Sequence, residues 1–126
     1  MREIKFRGKR VDNGEWVYGD LIHYNEQFLI NVYETEVGYY AYQVPIIPET
    51  VGQFTGLKDK NGIEIYEGDN LFDEYDEEYY VAEFENGVFV ATGDGFTVDL
   101  YEVVKTCAII GNIHDQKEKV EDDEQT

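Results

Sequence analysis

Apolar and polar residues alternate with a period of two along several stretches of the chain. Ile4 and Phe6 alternate with the basic residues Lys5 and Arg7, and a second alternation runs over residues 81–84. This period is typical of strands, because successive side chains of a strand point to opposite faces. Helical spacing of apolar positions is not sustained anywhere, so the pattern predicts at most short helices, near residues 50–54 or 100–104.

Three Asn-Gly pairs predict turns between the strands. Asn-Gly accepts the positive φ angles of tight hairpins, and the pairs stand at Asn13-Gly14, Asn61-Gly62 and Asn86-Gly87. Between the turns, Tyr, Val, Ile and Phe favour strands. The fold class that follows is mainly β, either a small barrel or two layers of antiparallel sheet. The predicted strands are residues 3–7, 15–22, 27–33, 39–44, 63–66, 69–72, 79–85, 88–92, 96–100 and 105–110.

The length of the chain favours one domain. Its 126 residues fit a single core, since domains commonly hold roughly 100 to 150 residues. From His114 onward the only apolar residue is Val120, so this stretch offers no face to bury. We therefore expect a single mainly-β domain over residues 1–113 and a frayed acidic tail over residues 114–126.

Acidic residues dominate the charge of the chain. There are 28 Asp and Glu against 10 Lys and Arg, and the formal net charge at pH 7 is -18. With 42% apolar and 15% aromatic residues, the chain can still bury a core against this repulsion. Nucleic-acid binding requires basic residues that displace counterions from phosphates. The charge therefore predicts no direct nucleic-acid binding, and attraction to basic proteins instead.

Hydropathy gives no sign of a membrane segment. No apolar run approaches the roughly 18 to 20 residues of a membrane span. The opening MREIKFRGKR has no apolar stretch of the kind that a signal peptide requires. We expect the protein to stay in the cytoplasm, without membrane contact.

The available side chains argue against catalysis and metal binding. The chain has no serine, which excludes a Ser-His-Asp triad. Cys107, in the apolar run TCAIIG, is expected to be a buried small hydrophobe, and with His23 and His114 it forms no zinc-ligand spacing. Residues 59–62 fit a turn better than a calcium loop, because an EF-hand places its glycine sixth. We expect no catalytic, metal or cofactor site.

The densest charge before the predicted tail lies in residues 73–78, which we call the acidic segment. If it is extended, the acids on one face repeat at about 6.6 Å, close to the phosphate spacing along a DNA strand. The alternative is a solvated loop or edge strand whose charge prevents sheets from pairing edge to edge. The candidate partner-binding residues are Asp73, Glu74, Asp76, Glu77 and Glu78.

The segment QFTGLKDKNGIEIYEGDNLF, residues 53–72, resembles the signature block of the YopX-like family of phage and prophage proteins. The opening IKFRGK and the closing IIGNI are similar too. The resemblance implies a mainly-β fold, homo-oligomers and a phage genome as the source, without an established activity. Gly68-Asp69 before a strand also resembles small SH3-like barrels. Residues 20–48 and 73–100 depart from the family pattern, so the acidic segment lies outside the resemblance.

Charge and resemblance together favour a non-enzymatic phage protein that binds a basic host protein through its acidic surface. That class includes DNA-mimicking inhibitors of host nucleic-acid-handling or defence enzymes, such as anti-restriction and anti-CRISPR proteins. The alternative is a structural or assembly protein that self-associates through aromatic-rich strands, since 11 Tyr and 7 Phe exceed the needs of a small core. A third hypothesis is a small-molecule sink with a pocket lined by Tyr39, Tyr40 and Tyr42.

Overall fold

Strands connected by short turns make up most of the described chain. The structure, a computed structural model, describes residues 2–34 and 40–115. The predicted mainly-β class is confirmed. Within the described residues, the helical stretches are short: α1 (Leu100–Val103), the 3-10 turn Pro48–Thr50, and residues 113–115 at the end of the second described range. The strands are β1 (Phe6–Lys9), β2 (Trp16–Tyr24), β3 (Gln27–Glu34), β4 (Tyr40–Pro45), β5 (Gly52–Lys58), β6 (Glu64–Tyr66), β7 (Asp69–Asp73), β8 (Glu78–Glu85), β9 (Val88–Thr92), β10 (Thr97–Asp99) and β11 (Cys107–Asn112).

The strands form two antiparallel sheets. One has the order β4-β3-β2-β1-β5-β6 and the other the order β10-β9-β8-β7-β11. Both orders are open-ended, so the described strands do not close a barrel. The chain also divides into two compact units, residues 1–54 and residues 55–126.

In the first unit, β1 to β4 form a meander in which each strand pairs with the one before it. A two-residue turn joins β2 to β3, and its residues Asn25 and Glu26 have φ angles of 52° and 64°. These strands approach closely at Gly19, where a Cβ atom would lie 2.0 Å from the backbone oxygen of Asn31. The buried side chains of this unit include Ile30, Val44, Ile46 and Phe54.

In the second unit, one residue of β7, one of β9 and two alternate residues of β8 enter one core cluster. Leu100 of α1 and the nearby Val104 pack into the same cluster, which explains why a helix of only four residues is stable there. Burial of this apolar surface supplies the main stabilisation of the unit. The cluster consists of Ile65, Leu71, Tyr80, Ala82, Ala91, Leu100, Val104 and Cys107.

All three predicted Asn-Gly turns are confirmed. Gly14 and Gly62 have φ angles of 74° and 80° in the turns after β1 and β5. Asn86 and Gly87, between β8 and β9, have φ angles of 52° and 84°. Two successive positive φ angles are those of a type I′ hairpin, for which Asn-Gly is the preferred pair.

The sequence pattern missed β5. It predicts a short helix near residues 50–54, but the helical turn there ends at Thr50 and β5 begins at Gly52. Within β5, Gly56 has a φ angle of 85°, which interrupts the alternation of side chains. Phe54 is buried and Leu57, three residues later, packs against the core cluster, so a search for period two finds no strand. The second predicted helix is confirmed as α1.

The domain boundary at residue 113 stays a prediction. Of the tail predicted over residues 114–126, the structure describes His114 and Asp115, and the rest lies outside the described residues. The backbone N–H groups of His114 and Asp115 donate to Asn112 Oδ1 at 3.0 and 2.9 Å. These two residues are therefore tied to the end of β11. Among the described helices, none is long and apolar enough to span a membrane.

Candidate functional site

The acidic segment lies where β7 turns into β8. Residues 74–77 form the turn, and Asp73 and Glu78 pair in the ladder at its base. Phe72 and Tyr79, the next ladder pair, have ring centroids 4.8 Å apart. The ladder and this ring pair fix the position of the turn relative to the five-stranded sheet.

The acidic segment is not extended. Residues 74–77 reverse the chain so that β8 can pair with β7, and Glu77 has a φ angle of 56°. The condition for a one-sided, phosphate-like spacing of Glu74, Asp76 and Glu78 is therefore not met. A solvated turn, the alternative interpretation, describes the observed geometry.

Asp73 supports the turn from inside. It is 1% exposed, and its Oδ1 accepts the backbone N–H groups of Tyr75 at 2.9 Å and Asp76 at 3.3 Å. A carboxylate in this position fixes the following backbone in a turn. Of the five predicted partner-binding acids, Asp73 is thus withdrawn from the surface and holds the others in place.

The other four acids differ in their surroundings. Glu74, Asp76 and Glu77 are exposed, and Glu78 is half-buried. Glu74 forms an ion pair with Lys60. No cation among the described residues forms an ion pair with Asp76, Glu77 or Glu78. These three carboxylates consequently lack a described counter-charge.

Negative charge is concentrated in the second unit. Residues 1–54 contain five basic and eight acidic residues, a net charge of -3, whereas residues 55–126 contain five basic and twenty acidic residues, a net charge of -15. The acidic segment belongs to the second unit. Its carboxylates therefore add to a field that is already negative and that attracts cations.

Asp59 begins the turn of residues 59–62, which is confirmed as a turn. Its Oδ1 accepts the N–H groups of Asn61 at 2.8 Å and Ile63 at 3.0 Å, and its Oδ2 accepts the N–H of Ile109 on β11 at 2.9 Å. Burial raises the pKa of the Asp59 carboxyl, but these three N–H donors outweigh burial and the pKa lies below its ordinary value. The N–H of Lys60 also donates to the Cys107 carbonyl at 2.9 Å. The turn therefore covers the outer edge of β11.

Sequence reasoning found the turn at residues 59–62 but missed this contact with β11. Asp at the start of a turn is a local signal for bonds to the next few N–H groups. The partner Ile109 is 50 residues away along the chain. No local pattern indicates such a bond.

Cys107 is buried, as the sequence predicts. Burial first, and then the nearby charges of Asp73 and Asp59, raise the pKa of its thiol to about 12. At neutral pH the thiol is therefore protonated and a poor nucleophile. Within residues 2–34 and 40–115, no group of three or more His, Cys, Asp or Glu side chains is placed to hold a metal ion.

The tyrosine-lined pocket stays a prediction. Tyr39 and the side chain of Tyr40 lie outside the described residues. Tyr42 is half-buried on β4. The structure therefore leaves the pocket untested.

Comparison with protein families gives one match that covers nearly the whole chain. The model of a family described as YopX protein matches residues 5–121. The matched range includes the 53–72 block, both sheets and the acidic segment. A search of the curated proteins finds no match.

Proposed function

This chain belongs to the YopX protein family, and from that premise we propose that it is a non-enzymatic module that binds a basic protein through the acidic segment. We propose further that it is a phage protein acting in the cytoplasm of the host. The partner class that its charge fits is a host nucleic-acid-handling or defence enzyme, since such enzymes carry basic surfaces for nucleic acid. An inhibitor of this type competes with nucleic acid for the basic surface.

The observation that carries the proposal is a fixed turn with carboxylates that lack a described counter-charge. Asp76, Glu77 and Glu78 have no ion pair with a described cation, and the buried Asp73 holds the backbone beneath them. A surface that is already ordered loses less conformational entropy when it binds. Tyr75, within the same turn, is 83% exposed, and tyrosine is enriched among residues that dominate binding energy.

The test compares two variants that lose the same charge from different places. The segment variant carries Asp76→Asn, Glu77→Gly and Glu78→Gln. The control variant carries Glu85→Gln, Asp94→Asn and Glu102→Gln, which replace exposed acids elsewhere in the second unit. Each protein is immobilised and used to capture proteins from a host lysate at low salt.

We expect the wild type and the control variant to capture the same basic protein, and the segment variant to lose it. Bound protein should elute as salt rises, because salt screens exposed charges. Equal capture by the segment variant would remove the acidic segment from the proposal. Equal loss of the captured protein from both variants would indicate that binding depends on the net charge of the unit and not on the acidic segment.

Exposed aromatic side chains favour self-association as a second candidate function. In the second unit Tyr79, Phe84 and Tyr101 are 66%, 53% and 70% exposed, and aromatic residues are enriched at protein interfaces. Two copies with a charge of -18 repel each other. Salt should therefore strengthen self-association but weaken binding to a basic partner. Sedimentation at low and high salt distinguishes these outcomes, and a monomer at both excludes this candidate.

A further inference from the structure

A groove of about 340 Å³ lies beside the acidic segment in the second unit. It forms where the 59–62 turn, the acidic segment and the connection from α1 to β11 meet. Two backbone hydrogen bonds join these loops, from Lys60 N–H to the Cys107 carbonyl at 2.9 Å and from Glu74 N–H to the Thr106 carbonyl at 3.1 Å. The backbone of the groove is thus fixed by bonds that do not depend on long side chains. The groove is lined by Lys60, Glu74, Tyr75, Lys105 and Thr106.

Two positively charged side chains line the groove, in a unit that has few of them. Residues 55–115 contain three lysines and no arginine, and two of these lysines, Lys60 and Lys105, line the groove. The ion pair with Glu74 holds the Lys60 ammonium at this place. Lys105 is exposed and forms no ion pair with any described acid. An external anion can therefore meet Lys105 without displacing an ion pair seen among the described residues.

The third element of the groove is an aromatic face. Tyr75 lines it and is 83% exposed, and planar rings pack favourably on such a side chain. The volume lies at the low end of the roughly 300–1,000 Å³ of small-molecule sites, which limits a ligand to about one ring system. A charged hydrogen bond from a lysine gives an anion both attraction and direction.

We infer that this groove binds a small organic anion that carries one planar ring, with the anionic group on Lys105 and Lys60 and the ring against Tyr75. The inference does not depend on the proposed function, because it rests on Lys60 and Lys105, whereas the proposed function rests on Asp76, Glu77 and Glu78, which do not line the groove. The net charge of the unit opposes the binding of an anion. Repulsion from the rest of the unit acts over a Debye length and is screened by salt, whereas the lysine contacts are short-ranged.

Four probes separate the contributions to this binding. Adenosine 5′-monophosphate carries a ring and a phosphate, benzoate a ring and a carboxylate, adenosine a ring only, and inorganic phosphate an anion only. Each is titrated into the full-length, ¹⁵N-labelled protein, and shifts of the amide signals of residues 60, 74, 75, 105 and 106 are followed. We expect saturable binding of the monophosphate or of benzoate, and weaker binding of adenosine and of phosphate. The tighter-binding of the two ring-bearing anions shows whether the groove prefers a phosphate or a carboxylate.

Matched variants locate the site. Lys105→Gln should weaken binding of the ring-bearing anion about tenfold, the loss of one charged contact of roughly 1.4 kcal/mol. Lys58→Gln removes an exposed lysine that does not line the groove and should change binding less than about twofold. Tyr75→Ser should weaken the ring-bearing probes and spare phosphate, whereas Tyr101→Ser, at another exposed tyrosine, should change nothing.

Three results contradict the inference. The first is the absence of saturable binding of both ring-bearing anions at millimolar concentration. The second is an equal loss in Lys105→Gln and Lys58→Gln, which would indicate general attraction to lysine. The third is phosphate binding as tight as that of the ring-bearing anions, which would remove the role of Tyr75.

Discussion

At the scale of the residue, buried carboxylates organise the second unit. Asp59, Asp69 and Asp73 are 5%, 2% and 1% exposed, and each accepts at least one backbone N–H within or beside a turn. Turns leave N–H groups without a ladder partner, and a buried N–H must be satisfied. These three acids therefore serve the fold, in a chain whose other acids give it a strongly negative surface.

Replacing Asp59 by Ala should destabilise the protein by about 1–3 kcal/mol, because three backbone N–H groups lose their acceptor. Urea unfolding followed by far-UV circular dichroism measures the change. Asp94→Ala, at an exposed position, is the matched control and should stay within about 0.5 kcal/mol of the wild type. Equal effects of the two substitutions would contradict the role assigned to Asp59.

The stability difference between the wild type and Asp59→Ala should also depend on pH. Because the pKa of Asp59 is lowered in the folded protein, its stabilisation is present above the ordinary Asp pKa of about 3.9 and is lost as pH falls through the lowered value. The stability difference between the wild type and Asp59→Ala should therefore shrink below about pH 4. A difference that stays constant down to the acid unfolding transition is the contrary outcome.

Arg7 shows what alternation fails to predict about single residues. The pattern places Ile4 and Phe6 inward, yet Ile4 is 55% exposed and Arg7 only 6% exposed. The Arg7 guanidinium lies over the Trp16 ring, 4.7 Å from its centroid. Ile4 precedes β1, which begins at Phe6, so the period of the strand does not apply to it, and the Trp16 ring of β2 covers Arg7. A period of two shows which side chains share a face of a strand, and not which face is covered.

At the scale of the element, turns determine the pairing of the strands, and Glu77 occupies the most strained position of the acidic segment. Glu77 has a φ angle of 56°, which is sterically unfavourable for any residue with a Cβ atom. Its exposed side chain offers no described contact in return. The negative charge at this position therefore comes with a cost in stability.

Glu77→Gly should be more stable than Glu77→Ala by about 1 kcal/mol, because both remove the same charge and only glycine relieves the backbone. Thermal unfolding of the two variants measures the difference. Equal melting temperatures would mean that the backbone at residue 77 accommodates a Cβ atom without loss of stability.

Gly19→Ala should destabilise the first unit by at least about 2 kcal/mol, since its Cβ would lie 2.0 Å from the backbone oxygen of Asn31. Gly14→Ala is the control. Its φ angle of 74° is also unfavourable for Ala, but nothing lies within 4 Å of the added atom. It should cost only about 1 kcal/mol. Chemical unfolding of both variants gives the comparison, and equal costs would show that the close approach of β2 and β3 is not limiting.

Sequence predicts elements well where turn chemistry is local. Asn86-Gly87 indicates a hairpin directly. Asn25 and Glu26 form an equally tight turn without a glycine, so at that position the sequence predicts only a gap between two strands. The candidate site follows the same rule. Composition identifies the acidic segment, but the fold of residues 74–77 depends on the register of β7 with β8. The sequence shows where the acidic residues are dense, but it does not predict the conformation of the backbone that carries them.

At the scale of the whole molecule, net charge opposes folding. A charge of -18 creates repulsion that extends over a Debye length of about 30 Å at 0.01 M salt and about 3 Å at 1 M. The core cluster and the sheets must offset this repulsion. Stability should therefore depend on ionic strength more than in a neutral protein of the same size.

Sodium chloride should raise the melting temperature of the wild type by several degrees between about 0.01 and 0.5 M. The segment variant and the control variant each carry three fewer charges and should respond less, by similar amounts. Differential scanning calorimetry at matched pH measures the shifts. No rise with salt in the wild type would show that the surface carboxylates repel one another too weakly to matter.

The most direct test of the account is the affinity of the captured basic protein for the wild type and the two variants, measured by isothermal titration calorimetry across salt concentrations. We predict that wild-type affinity falls at least about tenfold between roughly 0.05 and 0.5 M salt. The control variant should follow it, and the segment variant should bind weakly at every concentration. Equal affinity and an equal salt dependence of the wild type and the segment variant would contradict the claim that Asp76, Glu77 and Glu78 recognise the partner.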